Sequence, residues 1–158
     1  IGAGAGFPGV TIKIAHPELC MTLLEPKRKK VSFLKVLLTK LRLPDIRTVQ
    51  GRWEDLIEAP KHPASAKYDL VSMRALRLNP HQLAGFAEGI LNDGGIVAWW
   101  TGPELDDRDI GTYSSELKRV GITFDGRFEY SLPAMSGSRN ICIWRKLFDP
   151  KSHATGTY

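Results

Sequence analysis

From Lys27 to Leu41 the apolar positions fall at Val31, Leu34, Leu37, Leu38 and Leu41. Steps of three and four residues place them in one stripe along a helix of about four turns. Leu43-Pro44-Asp45 ends the pattern, because proline cannot continue a helix. The same period recurs after Asn79-Pro80, with Leu83, Phe86, Ala87, Ile90 and Leu91 inward. It returns from Thr112 to Val120, where Gly121 closes the helix. A shorter helix has Pro8 in its first turn, where a missing N–H costs nothing. It passes through Ile12 and Ile14 and stops before Pro17. Gly51-Arg52-Trp53-Glu54-Asp55 leads into a further short helix.

Between the helices lie apolar runs of strand length: Met21 to Leu24, Ile46 to Val49, Tyr68 to Ser72 and Ile96 to Trp100. Asn92-Asp93-Gly94-Gly95 reads as a turn ahead of the last of these. Thr123 to Leu132 and Asn140 to Lys146 follow as two strands with no helix between them, and Pro60 to Ala66 reads as a loop. Alternation predicts an α/β fold with a parallel sheet covered on both faces, here ending in an antiparallel pair. Leu34, Phe33, Trp144 and at least one of Trp99 and Trp100 are expected in the core. Residues 1–148 read as one domain, and residues 149–158 as a polar tail expected to be disordered.

The totals fit this picture. A length of 158 residues, 42% hydrophobic and 25% charged, supports one packed domain and argues against disorder. No apolar run approaches the roughly 20 residues of a membrane span. No basic stretch followed by an apolar run opens the sequence, so a secretory signal is not expected. Cys20 and Cys142 lie alone in separate apolar stretches and are expected to be buried free thiols in a cytoplasmic protein. The four histidines are scattered and no zinc spacing occurs, so no metal is expected. A monomer is the expected state.

Charge changes the picture more by position than by sum. The net charge is +5, and Lys27, Arg28, Lys29, Lys30, Lys35, Lys40 and Arg42 cluster without an intervening acid. That favours a polyanionic partner, although a solvated basic face has the same composition. Acids gather instead from Glu104 to Asp109.

The first ten residues, IGAGAGFPGV, carry two overlapping patterns. Gly2, Gly4 and Gly6 read G-x-G-x-G, common among binders of S-adenosylmethionine. Gly4, Gly6 and Gly9 read G-x-G-x-x-G, the dinucleotide fingerprint. Either loop would leave a strand and lead into a helix, with glycines letting the backbone approach a ligand. Glu25, about 20 residues on, ends the next strand, where a carboxylate can accept both ribose hydroxyls. Both cofactors have such a ribose, so the loop and Glu25 do not choose between them. The purely structural alternative is a tight turn with Glu25 capping the next helix.

A wider set of segments does choose. GAGAGFPG, TLLEPKRKKVSFL, VQGRWEDL, YDLVSMRAL, NDGGIVAWWTG and SRNICIWRK follow in this order. The chain resembles the bacterial small-subunit ribosomal RNA methyltransferase G family, also called glucose-inhibited division protein B. The resemblance implies a class I, Rossmann-like methyltransferase fold with a mostly parallel sheet and an antiparallel last strand. It implies S-adenosylmethionine as cofactor, and methylation of N7 of a guanine in 16S ribosomal RNA or the 30S subunit. Cofactor contacts are implied at Gly2, Gly4, Gly6 and Phe7, at Glu25, Pro26 and Lys27, at Trp53 and Glu54, and at Arg74. A first strand and an N-terminal helical segment precede the loop in the family, so the chain is expected to be N-terminally truncated. Trp53 stands where the family usually has alanine, and Thr101 where it often has lysine.

The implied chemistry suits these residues. Methyl transfer from a sulfonium is an in-line displacement, and guanine N7 offers a lone pair with no proton to lose. No general base is needed, and positioning alone can supply about 7–11 kcal/mol. Ser72-Met73-Arg74-Ala75 stands where amino-group methyltransferases carry an Asx-Pro-Pro-aromatic turn, and no cysteine lies near it. Arg74 could position a carboxylate, a phosphate or guanine O6. Lys27, Arg28, Lys29, Lys30, Arg77 and Arg139 are the candidate RNA contacts, each with a solvated-surface alternative. Two other functions remain as alternatives: a module that keeps the fold and binds RNA without catalysis, and a dinucleotide oxidoreductase.

Overall fold

A computed structural model describes residues 1–58, 66–76, 78–102, 105–132 and 138–148. The elements run α1 (Gly9–Ala15), β1 (Met21–Glu25), α2 (Arg28–Leu41), β2 (Ile46–Gln50), α3 (Trp53–Glu58) and β3 (Tyr68–Arg74). They continue with α4 (Pro80–Ile90), β4 (Leu91–Thr101), α5 (Asp107–Arg119), β5 (Ile122–Tyr130) and β6 (Arg139–Lys146). β1 pairs with β2 and β3 with β4, both in parallel. β6 inserts antiparallel between β4 and β5. This is the mostly parallel α/β arrangement with an antiparallel ending that the sequence predicted. No helix among the described residues is long and apolar enough to cross a membrane.

Two cores hold it. The larger buries Leu83, Phe86, Val97, Trp99, Leu117 and Trp144, from α4, α5, β4 and β6. Trp99 meets Tyr113 edge-to-face at 5.0 Å, and Trp144 meets Phe124 at 5.5 Å. Each such side chain contributes about 1.5–3 kcal/mol by leaving water. The smaller core joins Val31, Leu34 and Leu38 of α2 to Ala3, Val10 and Leu23.

The β1–β2 and β3–β4–β6–β5 sheets are not hydrogen-bonded to each other directly. Ile1 to Ala3 lies between them. Ala3 N donates to Leu24 O at 3.0 Å on one side, and the Ile1 ammonium donates to Ser72 O at 2.6 Å on the other. Adjacent strands stand about 4.8 Å apart, so β1 and β3 are separated by the width of one strand. Beneath these bonds a slot of about 690 Å³ runs between the two edges, lined by Met21, Leu23, Tyr68, Leu70 and Val71 among others.

Several expectations are corrected. Asn92 to Gly95 does not stand apart as a turn before a strand. It is taken into β4 as an irregular stretch, where the register jumps from Tyr68↔Leu91 to Leu70↔Ile96. Gly95 fits there because a Cβ would lie 2.8 Å from Asn92 O. α5 begins at Asp107, ahead of the predicted Thr112, because Asp106 and Asp109 form a reciprocal capping box. Phe33 is 51% exposed, since it lies on the side of α2 opposite Val31, Leu34 and Leu38. Cys20 is exposed and only Cys142 is buried. The predicted tail 149–158 and most of the Pro60–Ala66 loop lie outside the described residues.

The buried Ile1 ammonium has a measurable consequence in a polypeptide that starts there. Burial pulls its pKa from 8.0 down to about 6. The unfolded chain then binds more protons between those values, so stability rises with pH. Urea unfolding of the 158-residue polypeptide should show a gain of about 2 kcal/mol from pH 6 to pH 8. An N-acetylated version should lack this slope.

Candidate functional site

The strand ends converge on one edge. Glu25 closes β1 opposite Gln50, Arg74 closes β3 opposite Trp100, and Thr101 closes β4 opposite Asn140 at the start of β6. Crevices at the carboxyl ends of such strands are where doubly wound sheets bind ligands. The glycine loop passes this edge with Gly2, Gly4 and Gly6 at φ of 66°, 58° and 100°. Residues with a Cβ pay about 1–2 kcal/mol for that region. Gly9 acts differently: it is the first residue of α1, and a Cβ there would lie 2.6 Å from Leu23 Cδ2. It brings α1 down onto β1.

Glu25 holds the loop in place. Its side chain is 3% exposed. Oε2 accepts from Gly4 N at 2.8 Å and Oε1 from Lys27 N at 3.0 Å. One carboxylate therefore ties the glycine loop to the N-cap of α2. This combines the two readings of Glu25, for it caps the helix and still has lone pairs left over. An ionised carboxylate has about four acceptor sites, and the two amides use two.

Beside it lies a cleft of about 220 Å³. Of the residues singled out in the sequence, Gly2, Glu25, Pro26, Trp53 and Glu54 line it together. Glu54 Oε2 is buried and has no hydrogen-bond partner among the described residues. A carboxylate oxygen held out of water without a donor is costly. Trp53 packs edge-on against Phe86 with ring centroids 5.9 Å apart, so its indole is fixed by the larger core. Sequence reasoning missed Ile1, Leu24, Gly51, Arg52 and Leu76 in this lining. The spacing of Arg52 and Asp55 was the available signal: Arg52 N donates to Asp55 Oδ2 at 2.6 Å, shaping the turn into α3.

Other predicted residues stand outside the cleft. Arg74 is exposed, with its guanidinium carbon 5.9 Å from the centroid of the Phe7 ring. The next residue, Ala75, takes a φ of 53°, which swings the chain off β3 directly after Arg74. Phe7 lines the slot between the sheets. Gly4 and Gly6 shape the loop without lining the cleft. Lys27 contributes its backbone N–H, and Arg28, Lys29 and Lys30 form the exposed first turn of α2. Arg139 opens β6 opposite Tyr130, at the same edge as the cleft. Thr101 is 9% exposed, and its hydroxyl donates to Asn140 O at 3.4 Å, so it serves the sheet. Arg77 lies outside the described residues. The described residues hold no cluster of three metal-ligating side chains.

The family model described as "rRNA small subunit methyltransferase G" matches residues 1–133. The chain belongs to that family. The ribosomal RNA small subunit methyltransferase G 1 of Syntrophobacter fumaroxidans is 42% identical over 149 residues, covering 92% of this chain and 64% of the relative. That of Syntrophus aciditrophicus is 36% identical over 146 residues, covering 92% and 59%. The chain thus spans less than two thirds of the length of these family members. Solved structures agree on the fold. A methyltransferase from Pyrococcus furiosus superposes with a TM-score of 0.70 at 13% identity, covering 94% of this chain and 73% of its own. M. jannaschii TYW2, solved in complex with AdoMet, gives 0.64 at 13% identity, covering 90% and 64%. The fold is that of class I methyltransferases, and the family removes the dinucleotide reading of the glycine loop.

Glu25 carries a stability role that is separable from any ligand. Glu25→Ala should cost about 2–4 kcal/mol, since two amides lose a charged acceptor. Urea midpoints checked without ligand should show it, and Glu25→Gln, which keeps one acceptor oxygen, should lose less.

Proposed function

We propose that this chain forms the donor-binding and catalytic part of an S-adenosylmethionine-dependent methyltransferase acting on N7 of a guanine in small-subunit ribosomal RNA. The observation that carries the reading is the orphaned Glu54 Oε2 in a cleft that also presents Glu25, at the carboxyl edge of the sheet of a methyltransferase family member. A neutral amino group with hydrogens to donate suits Glu54, and a pair of ribose hydroxyls suits the spare lone pairs of Glu25. Whole small-ligand pockets run to about 300–1,000 Å³. The 220 Å³ cleft therefore suits a nucleoside, with the amino-acid part of the donor lying along the glycine loop. Arg74, held near Phe7 at the end of β3, would receive that part's carboxylate.

When bound, S-adenosylmethionine supplies an electrophilic methyl group on a sulfonium. The residues of this chain bind and orient; none is asked to move a proton, because guanine N7 attacks through an existing lone pair. Gly2 keeps the loop free of side chains where the donor lies. Lys27, Arg28, Lys29, Lys30 and Arg139 line the same edge, where RNA phosphates would approach.

Titration calorimetry should detect S-adenosylmethionine and its demethylated product, and Glu54→Ala should weaken binding by about tenfold or more. The same substitution should leave stability unchanged or raise it, since it removes a buried orphan oxygen. Mass mapping of 16S ribosomal RNA incubated with the full-length protein should reveal one added methyl on guanine N7. Failure to bind either ligand defeats the reading. Tight binding of the donor with no transfer to RNA or to 30S subunits points to the non-catalytic RNA-binding alternative.

A further inference from the structure

The helices of this chain are built by two different rules. α4 and α5 each begin with a reciprocal capping box. α5 also has acids in its first turn and Lys118 and Arg119 in its last, which matches the helix dipole at both ends. α2 does the opposite at its start. Its N-cap, Lys27, gives no side-chain hydrogen bond, and its first turn contains no acid. Four cations in a row, Lys27 to Lys30, stand where the dipole is already positive. Each is unfavourable there.

The Glu25 carboxylate accepts from Lys27 N at that end, but it does not pair with the cationic side chains that follow. Arg28, Lys29, Lys30, Lys35 and Lys40 are exposed, and their side chains have no ion-pair or hydrogen-bond partner among the described residues. Elsewhere, cations on the β5–β6 pair are matched, as in Arg127 with Asp107 at 2.6 Å and Arg145 with Asp125 at 2.7 Å.

The outer face of α2 also contains unexplained apolar surface. Val31, Leu34 and Leu38 face the core. On the opposite side, Lys29, Phe33, Val36 and Lys40 follow at intervals of four, three and four residues, which aligns them in one stripe. Phe33 is 51% exposed and Val36 56%. Between Lys29 and Lys40 the helix rises by about 16 Å. The stripe is thus two cations bracketing an exposed aromatic ring and a branched aliphatic side chain. Its start is joined through the Glu25 carboxylate to the glycine loop.

We propose that the Lys29–Phe33–Val36–Lys40 face of α2 is a docking surface for a single-stranded stretch of RNA, with phosphates on the lysines and an unstacked base on Phe33. The proposal rests on the methyltransferase reading for the identity of the polyanion, and it adds where that polyanion lies. Charge complementarity selects a polyanion, and the aromatic ring selects bases that are free to leave their stack. In a duplex the bases are not available to Phe33, whereas a single strand can use both parts of the stripe.

The test uses the full-length protein and a single-stranded RNA oligonucleotide, with the duplex of the same sequence beside it. Affinity is measured as a function of salt. A Lys29→Glu, Lys40→Glu double variant should lose about tenfold or more in single-strand affinity. It should also reduce the slope of log affinity against log salt by about 1.4, the value for two phosphates. Phe33→Ala should lose about five- to a hundredfold while keeping the slope, and Phe33→Tyr should retain binding. Equal binding by the parent and the variants overturns the proposal. So does a parent that binds duplex as tightly as single strand with no effect of Phe33→Ala. A Phe33→Ala variant that changes sedimentation and not RNA affinity overturns it too, in favour of a protein interface. Calorimetry with S-adenosylmethionine on the same samples separates the two readings: loss of donor binding in the parent defeats the methyltransferase assignment, whereas the docking surface stands or falls on the RNA data.

Discussion

The arrangement around the site depends on one carboxylate. Glu25 is buried at the end of β1, and burying an ionised group is tolerable only where donors replace water. Gly4 N and Lys27 N are those donors. The same two bonds fix the path of a glycine loop, which has few side chains of its own to anchor it, and start a helix whose N-cap residue, Lys27, offers no side-chain bond of its own. Remove the carboxylate and both segments lose their common reference point. The neighbouring Glu54 contrasts with it. One oxygen of Glu54 is buried without a donor among the described residues, which costs the isolated fold.

Much of this was legible in the order of the residues, because its causes are local. The three- and four-residue spacing of Val31, Leu34 and Leu38 places α2, and the positive φ values of the loop require the glycines found there. Asn79-Pro80 marked the start of α4 because an N-cap followed by proline is a backbone signal. What the sequence hid was set by distant partners. Asn92 to Gly95 is composed as a turn, but Tyr68 draws Leu91 into register and makes those residues part of β4. The acidic run before Thr112 belongs to the start of α5, where Asp106 and Asp109 cap each other. Phe33, adjacent to the fully buried Leu34, could not be assigned to a face from hydrophobicity alone. Pairing of Arg74 with Phe7 joins residues far apart in the chain, and no spacing rule announces it.

The two cores divide the work. The larger, around Phe86, Trp99 and Trp144, is rich in aromatic contacts, and burial raises the pKa of its Cys142 thiol. The smaller, around Leu23, Leu34 and Val10, lies directly beneath the glycine loop. Gly6 and Gly9 belong to it sterically, since a Cβ on either would lie 2.6 Å from Val10 or Leu23. Close packing there leaves little slack, so the loop inherits the rigidity of the β1–α1–α2 unit.

The insertion of β6 between β4 and β5 has a consequence in time. Thr101 and Asn140, neighbours across that ladder, are separated by 39 positions in the chain. On a ribosome the amino-terminal side of a protein emerges first, and segments begin to fold as they appear. β3 and β4 can pair early, but the far edge of β4 stays open until β6 has been made. During that interval Val97 and Trp99, buried in the finished protein, sit on a strand whose outer hydrogen-bonding groups have no partner. Long-range pairing of this kind is slow and exposed to association with other chains. The antiparallel strand that completes the sheet therefore also determines how long the nascent chain remains vulnerable.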